Sequence, residues 1–285
     1  MDSTATYILA ASLFIIMMGM GLSLTIDDFK RIFVHPKAVS IGILNQIVLL
    51  PLIGWILVSS LSLPPIIAVG IMILAASPGG PTSNLFSHLA HGDTALSVSL
   101  TAINSIVTII TIPIVVQLAL VNFMGDSTEV VLDVPNIVVQ LIAITLVPIT
   151  IGMVLKAKAA EFAEKMARPV RIASAVILAL VIIGLVLKEK ANILVYFEKA
   201  GFAAFLLNVT TMIVGYFSAL MFRLSKKQSI TISIESGLQN GTLAIAIATV
   251  TLGNTELAIA PAIYSLIMFF TCGLIAWIGT KVLDL

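Results

Sequence analysis

Charge is what this sequence has least of. Aspartate, glutamate, lysine and arginine together make up 10% of its 285 residues, where a soluble domain carries about 25%. A water-soluble globule of this length is therefore not expected, and the bilayer becomes the natural solvent. The net charge of +1 gives no reason to expect nucleic acid or an acidic protein partner, and no obligate protein partner is evident. A single cysteine, Cys272, excludes an internal disulfide and a multi-cysteine metal site; it reads as a small apolar packing residue. His35, His88 and His91 fall at the ends of apolar runs, where solvated or capping roles suffice. No phosphate loop, zinc-ligand spacing or Ser-His-Asp set occurs. No catalytic residue is proposed, and the expectation is that the chain is not an enzyme.

What the chain has instead is length without charge. It is 59% hydrophobic, with a mean hydropathy of +1.15. Charge-free runs cover 3–26, 38–92, 94–125, 134–155, 172–187, 200–222 and 257–280. A helix crosses the hydrocarbon core with about 20 apolar residues. The run 38–92 suffices for two crossings joined at Ser62-Leu63-Pro64-Pro65, and 228–255 holds one charge, Glu235. Residues 3–26 lack a basic leader and are too long for a signal peptide, so they read as a first span. The expectation is an all-α polytopic membrane protein with spans at 5–24, 38–61, 66–90, 94–122, 134–155, 170–187, 200–222, 228–252 and 257–280. With the N-terminus outside, the cytoplasmic loops hold Lys30, Arg31, Lys37, Lys156, Lys158, Lys165, Arg168, Arg171, Arg223, Lys226, Lys227 and Lys281. Only Lys188, Lys190 and Lys199 fall outside. That positive-inside bias supports nine crossings with a cytoplasmic C-terminus, in the cytoplasmic (inner) membrane.

Two spans are interrupted near their middle. The first carries Ala76-Ser77-Pro78-Gly79-Gly80-Pro81-Thr82-Ser83-Asn84, the second Glu235-Ser236-Gly237-Leu238-Gln239-Asn240-Gly241-Thr242. Unwound backbone persists at membrane depth only where it is buried in protein or lines a cavity. The third and eighth spans run in opposite directions, the relation expected of an inverted-repeat transporter with its binding site at the midplane. The halves would be 1–133 and 134–285, with the first helix of the N-terminal copy missing.

Glu235 is the one carboxylate placed inside the hydrocarbon region. Its burial costs about 2.5–3.5 kcal/mol or more without a partner, and no lysine or arginine shares its depth, which leaves a bound cation, a proton, or a neutral bracing role. Gln239 follows at i+4 with Asn240 beside it, and the break between Gly237 and Gly241 frees carbonyl oxygens suited to Na⁺. Ser97, Thr101, Asn104 and Thr108 line one helix face; ordinary interhelical hydrogen bonding is the alternative reading. With Ser83 and Asn84 in the preceding broken span, they read as a ligand shell. Gln46 by itself reads as an interhelical hydrogen bonder. Helix starts near Gly80 and Gly241 would point positive dipole ends at an anion. Asn208-Val-Thr and Asn240-Gly-Thr match the glycosylation pattern but lie within spans.

At these residues the chain resembles the bile acid:sodium symporter family of Na⁺-coupled organic anion transporters. The similarity is carried by Met18-Gly19-Met20-Gly21-Leu22, Asp28-Phe29, His35-Pro36-Lys37, Pro78-Gly79-Gly80, Ser83-Asn84, Gly92-Asp93-Thr94-Ala95-Leu96-Ser97-Val98 and Glu235-Ser236-Gly237-Leu238-Gln239-Asn240. The resemblance implies two crossed broken helices in a core module (about 38–122 and 200–285) and a panel module (about 1–30 and 134–190). It implies two sodium sites, one at Ser83, Asn84, Ser97, Thr101 and Glu235. The other would use Gln46, Glu235 and Gln239 with the carbonyls of Ser236 and Leu238. Substrate would lie between the modules, with Asn240, Pro81, Gly241, Asn104, Thr108 and Phe269 as candidate contacts. The chain departs from the family pattern at Pro81, Gly241 and Met268-Phe269-Phe270, so Na⁺ coupling is better supported than a bile acid as cargo; pantothenate and 2-keto acids are alternatives. Competing readings are a proton-coupled carrier using Glu235, a channel, and a membrane receptor.

Overall fold

A computed structural model describes residues 3–125, 133–188 and 193–283. Lys190 lies outside the described residues, as do the ends of both termini and the side chains of Arg168, Arg171, Lys188 and Lys281. The secondary-structure elements among the described residues are all helices, with no strand.

Helix α1 (Ser3–Ser23) meets α2 (Ile26–Val34) at 61°. The turn is fixed by Asp28, whose carboxylate accepts from the backbone N–H and the hydroxyl of Thr25, both at 2.7 Å. The charge pattern predicts a cytoplasmic loop here; the structure has a helix. It is a short amphipathic helix with Ile26, Phe33 and Val34 exposed beside Asp27 and Lys30, a composition suited to the plane of a bilayer interface. Pro36 at a first-turn position opens α3 (Pro36–Ser60). Its ladder widens to a π-turn over Leu44–Leu49, and Asn45 and Gln46 on that turn are buried. Such turns insert a residue and shift the helix face, and they recur at functional sites.

The first broken segment comprises α4 (Pro65–Ala75) and α5 (Pro81–Leu89). Helix α6 (Thr94–Met124) begins at Asp93, which caps the N–H of Leu96 at 3.0 Å. Then come α7 (Val134–Lys158), α8 (Ala160–Lys188) and α9 (Ile193–Met221). The second broken segment comprises α10 (Lys226–Gly237) and α11 (Gly241–Ala246), the latter extended by a π-turn over Ile247–Thr251; α12 (Ile259–Leu283) ends the fold.

Among the described residues, five helices are long and apolar enough to cross a membrane, and six if α1 and α2 count as one bent span. Three of the nine expected spans fall outside this set for a physical reason. Two are the broken segments. In the third, the apolar part of α8 is confined to Ile172–Leu187, while its first half, which the sequence reading left as a loop, carries Glu161, Glu164 and Lys165. In packing, α1 lies along α7 and α8, and α9 lies along α10 and α12. The first break is seated against the second, since α5 touches α6, α10 and α12.

Candidate ion and substrate site

Every residue of the second broken segment from Ser229 to Thr249 is buried. Ile234, Glu235, Leu238 and Ala244 are fully enclosed. The two breaks are joined by main chain: the N–H of Asn240 donates to the carbonyl of Ser77 at 2.9 Å. Two polar side chains hold the end of α10. Both the Asn208 amide and the Tyr264 hydroxyl donate to the carbonyl of Gly237 at 2.7 Å. Asn208, set aside in the sequence as an unreachable glycosylation motif, is thus an internal brace. Tyr264 carried no sequence signal at all.

The carboxylate of Glu235 points into a shell of neutral groups. The Ser97 hydroxyl lies 2.5 Å from Oε1 and the Gln46 amide nitrogen 3.3 Å from Oε2. Ser97 is also 2.7 Å from Asn84 Oδ1, and Thr101 reaches the same oxygen at 3.3 Å. A hydroxyl has one proton, so Ser97 serves Asn84 or Glu235 at any instant, not both. Among the described residues, the ion pairs are Lys30–Asp27 and Arg31–Asp28, far along the chain from Glu235. No three His, Cys, Asp or Glu side chains cluster among them either. The donor set is one carboxylate and neutral oxygens, hard ligands that suit a monovalent cation such as Na⁺.

Gly79 supplies the test of fit. A Cβ built there would lie 3.1 Å from Glu235 Oε2, 3.2 Å from the Leu238 carbonyl and 3.3 Å from Ser83 Oγ. Oxygens from both breaks therefore face one point that glycine leaves open. Close by, Gln239 donates its amide to the Ser236 carbonyl at 2.7 Å, while its Oε1 is buried without a hydrogen-bond partner. Ser83, Asn84, Ser97, Thr101, Gln46, Glu235, Ser236, Leu238 and Gln239 are thus gathered around the two breaks.

The residues expected to touch substrate are scattered more widely. A cavity of about 20 Å³ lies between α1, α6, α7 and the breaks, walled by Met17, Ser105, Thr108, Thr145, Asn240 and Leu243 among others. Thr108 and Asn240 therefore share a space, joined by Ser105 and Thr145, which the sequence reading did not single out. Asn104 is turned instead onto Gln46, donating its amide to Gln46 Oε1. Gly241 packs on the Ser265 hydroxyl. Pro81 opens α5. Phe269 faces Phe86 with ring centroids 6.2 Å apart, and Phe270 is 80% exposed. The side chain of Asn240 caps α11 by accepting from Leu243 N–H at 3.1 Å. A separate cavity of about 370 Å³ is an apolar groove on the outer face of α9, α10 and α12 and shares no residue with this site.

Residues 10–197 match the Sodium Bile acid symporter family. The chain belongs to that family. By its description that family is one of symporters, in keeping with the multi-pass helical membrane architecture described above. It is 29% identical over 254 residues to a probable sodium/metabolite cotransporter of chloroplasts from Arabidopsis thaliana, covering 88% of this chain and 61% of the relative. It is 30% identical over 239 residues to an uncharacterized sodium-dependent transporter of Bacillus subtilis, covering 82% and 71%. The ileal sodium/bile acid cotransporter of Homo sapiens is 28% identical over 263 residues, covering 91% and 74%. The chain thus spans less than two thirds of the chloroplast relative's length.

Proposed function

We propose that this protein is a secondary active transporter that couples inward Na⁺ movement to uptake of an organic anion by alternating access. The observation that carries the reading is the oxygen-ringed point at Gly79, where a fully buried carboxylate meets groups from both breaks. Burying Glu235 is costly unless a cation offsets it. One sodium would be held by Ser83, Asn84, Ser97, Thr101 and Glu235. A second would be held by Gln46, Glu235, Gln239 and the Ser236 and Leu238 carbonyls; the unpartnered Oε1 of Gln239 is a ligand in waiting.

The packing of α1 on α7 and α8 supports a panel module distinct from a core of α3–α6 and α9–α12. The cavity at Thr108, Thr145 and Asn240 is the substrate crevice of this reading, in a closed form. Nine crossings follow if α4 with α5, and α10 with α11, each count as one interrupted crossing and α8 crosses through Ile172–Leu187. The cargo class is a bile-acid-like anion, pantothenate or a 2-keto acid.

Two measurements test this. Thermal stability in detergent should rise with NaCl and not with KCl or choline chloride at equal ionic strength, because only a ligand of the folded state shifts unfolding. Equal stabilisation by all three salts removes Na⁺ and returns Glu235 to a proton or bracing role. In proteoliposomes, counterflow of a labelled organic anion should saturate and depend on Na⁺. Neutral methyl esters should compete at least tenfold more weakly than the acids, about 1.4 kcal/mol. Esters equal to acids would show selection by apolar contact and sink the anion class.

A further inference from the structure

Gln46, Glu235 and Asn104 form a buried chain of three side chains from three helices. An ionised carboxylate only accepts hydrogen bonds. Without a cation, Gln46 must therefore turn its N–H towards Glu235, and Nε2 does lie 3.3 Å from Oε2. Its far side is then the carbonyl Oε1, which accepts from the Asn104 amide. A cation ligated by Glu235 reverses the demand on Gln46, because it attracts a carbonyl oxygen and repels an N–H group. The terminal torsion of a glutamine is broad and nearly two-fold, so the amide can turn over in place.

Once Gln46 has turned, its N–H faces Asn104, and two buried donors would oppose each other. The other atom of the Asn104 amide, Oδ1, is buried with no hydrogen-bond partner. Reversal of Asn104 would bring that acceptor to Gln46 and restore the bond. We propose that Asn104 is a positioning residue for Gln46, and that the two amides reverse together when a cation reaches Glu235. The sequence placed Asn104 among substrate contacts; its neighbours Ser105 and Thr108 wall the cavity instead. The Thr108 hydroxyl donates to the main-chain carbonyl of Asn104 at 2.6 Å, which sets the relay one helical turn from the proposed crevice. This inference rests on the sodium reading above, and sodium alone is the probe.

The test follows the side-chain NH₂ signals of ¹⁵N-labelled asparagine and glutamine in the detergent-solubilised protein. NaCl should move the Gln46 and Asn104 signals with one midpoint, and choline chloride should move neither. In Gln46→Leu the Asn104 signal should stop responding while that of Gln239 still moves. An Asn104 signal that stays still while Gln46 moves, or that keeps moving with leucine at 46, overturns the relay but leaves the sodium reading intact. If no glutamine responds to Na⁺, the sodium reading falls and the relay with it. Asn104→Asp, which puts an acceptor where the parent has an N–H group, should lower the half-stabilising NaCl concentration about fivefold, the effect of one hydrogen bond. That gain should shrink to less than about twofold in the Gln46→Leu background. A gain that persists there is a field effect of the added charge and counts against the relay.

Discussion

Between Ala75 and Pro81 the chain leaves the helix through Ser77, Pro78, Gly79 and Gly80, and between Gly237 and Gly241 it does so through Leu238, Gln239 and Asn240. The two interruptions look alike in outline and differ in cause. The residue before a proline is pushed towards extended backbone; Pro78 lies inside the first gap and Pro81 closes it, and Gly80 duly sits at φ −118°, ψ −166°. The second gap contains no proline. Leu238 is extended at φ −98°, ψ 106° because its surroundings hold it so. Asn208 and Tyr264 take up the Gly237 carbonyl, and Asn240 caps the helix that follows. The first break is written into its own covalent structure, whereas the second depends on neighbours and carries the charge. An uncharged, self-made break can act as a fixed wall, and the neighbour-dependent one is where ligands and variants should register.

The largest effect that sharpens this contrast is expected from Glu235→Ala. It removes the carboxylate shared by both proposed sodium sites, so Na⁺-dependent stabilisation should vanish. At 100 times the dissociation constant this amounts to about 2.7 kcal/mol per site, read as the difference in thermal midpoint between NaCl and choline chloride. An unchanged Na⁺ response would dissolve the ligand assignment. Next comes a matched pair on the first break. Gly79→Ala places a methyl group among three oxygens at 3.1–3.3 Å and should abolish one site, dropping the Hill coefficient for Na⁺ from about two towards one, as loss of one of two coupled sites requires. Gly80→Ala meets Asn240 first, at an ordinary contact distance of 3.6 Å, and should leave the Na⁺ titration unaltered. If the two behave alike, the oxygen-ringed point is not where the ion sits.

Smaller effects test the difference in cause. Asn208→Ala leaves a hole and weakens the hold on the Gly237 carbonyl, costing about 1–3 kcal/mol, and Tyr264→Phe should cost about 1 kcal/mol. Both are measured by thermal unfolding in choline chloride. Pro81→Ala should cost less than about 1 kcal/mol, since proline at a first-turn position gives up no helical hydrogen bond. Should Pro81→Ala prove more damaging than Asn208→Ala, the assignment of internal and external causes would be inverted.

The sequence made some of this architecture readable, because the signals were local. Pro78-Gly79-Gly80 and the solitary Glu235 stand out against apolar neighbours, and the hydroxyl stripe from Ser97 to Thr108 follows one helix face. The groups that hold the site were hidden, because they act across large separations in the chain. Asn208 and Tyr264 meet Gly237 from 29 and 27 residues away, and Gln46 meets Glu235 across 189. The π-turn at Leu44–Leu49 changes which face Gln46 occupies, a rephasing that a strict 3.6-residue count does not anticipate. The charges of α2 mask its apolar side, and those in the first half of α8 do the same, so the pattern predicts loops where the structure has helix. Asn104 shares a stripe with Thr108, and its side chain turns to Gln46, a partner 58 residues away that periodicity does not reveal.

The bond from Asn240 N–H to the Ser77 carbonyl is made entirely of main-chain atoms, and heredity treats such a joint differently from its surroundings. Nearly any codon at either position preserves it; only proline at 240 deletes the donor. Side chains around the joint can be exchanged one at a time while the seam between the breaks passes through each exchange intact. On the proposed reading, cargo can diversify in such a scaffold while the backbone joint between its breaks stays as it is.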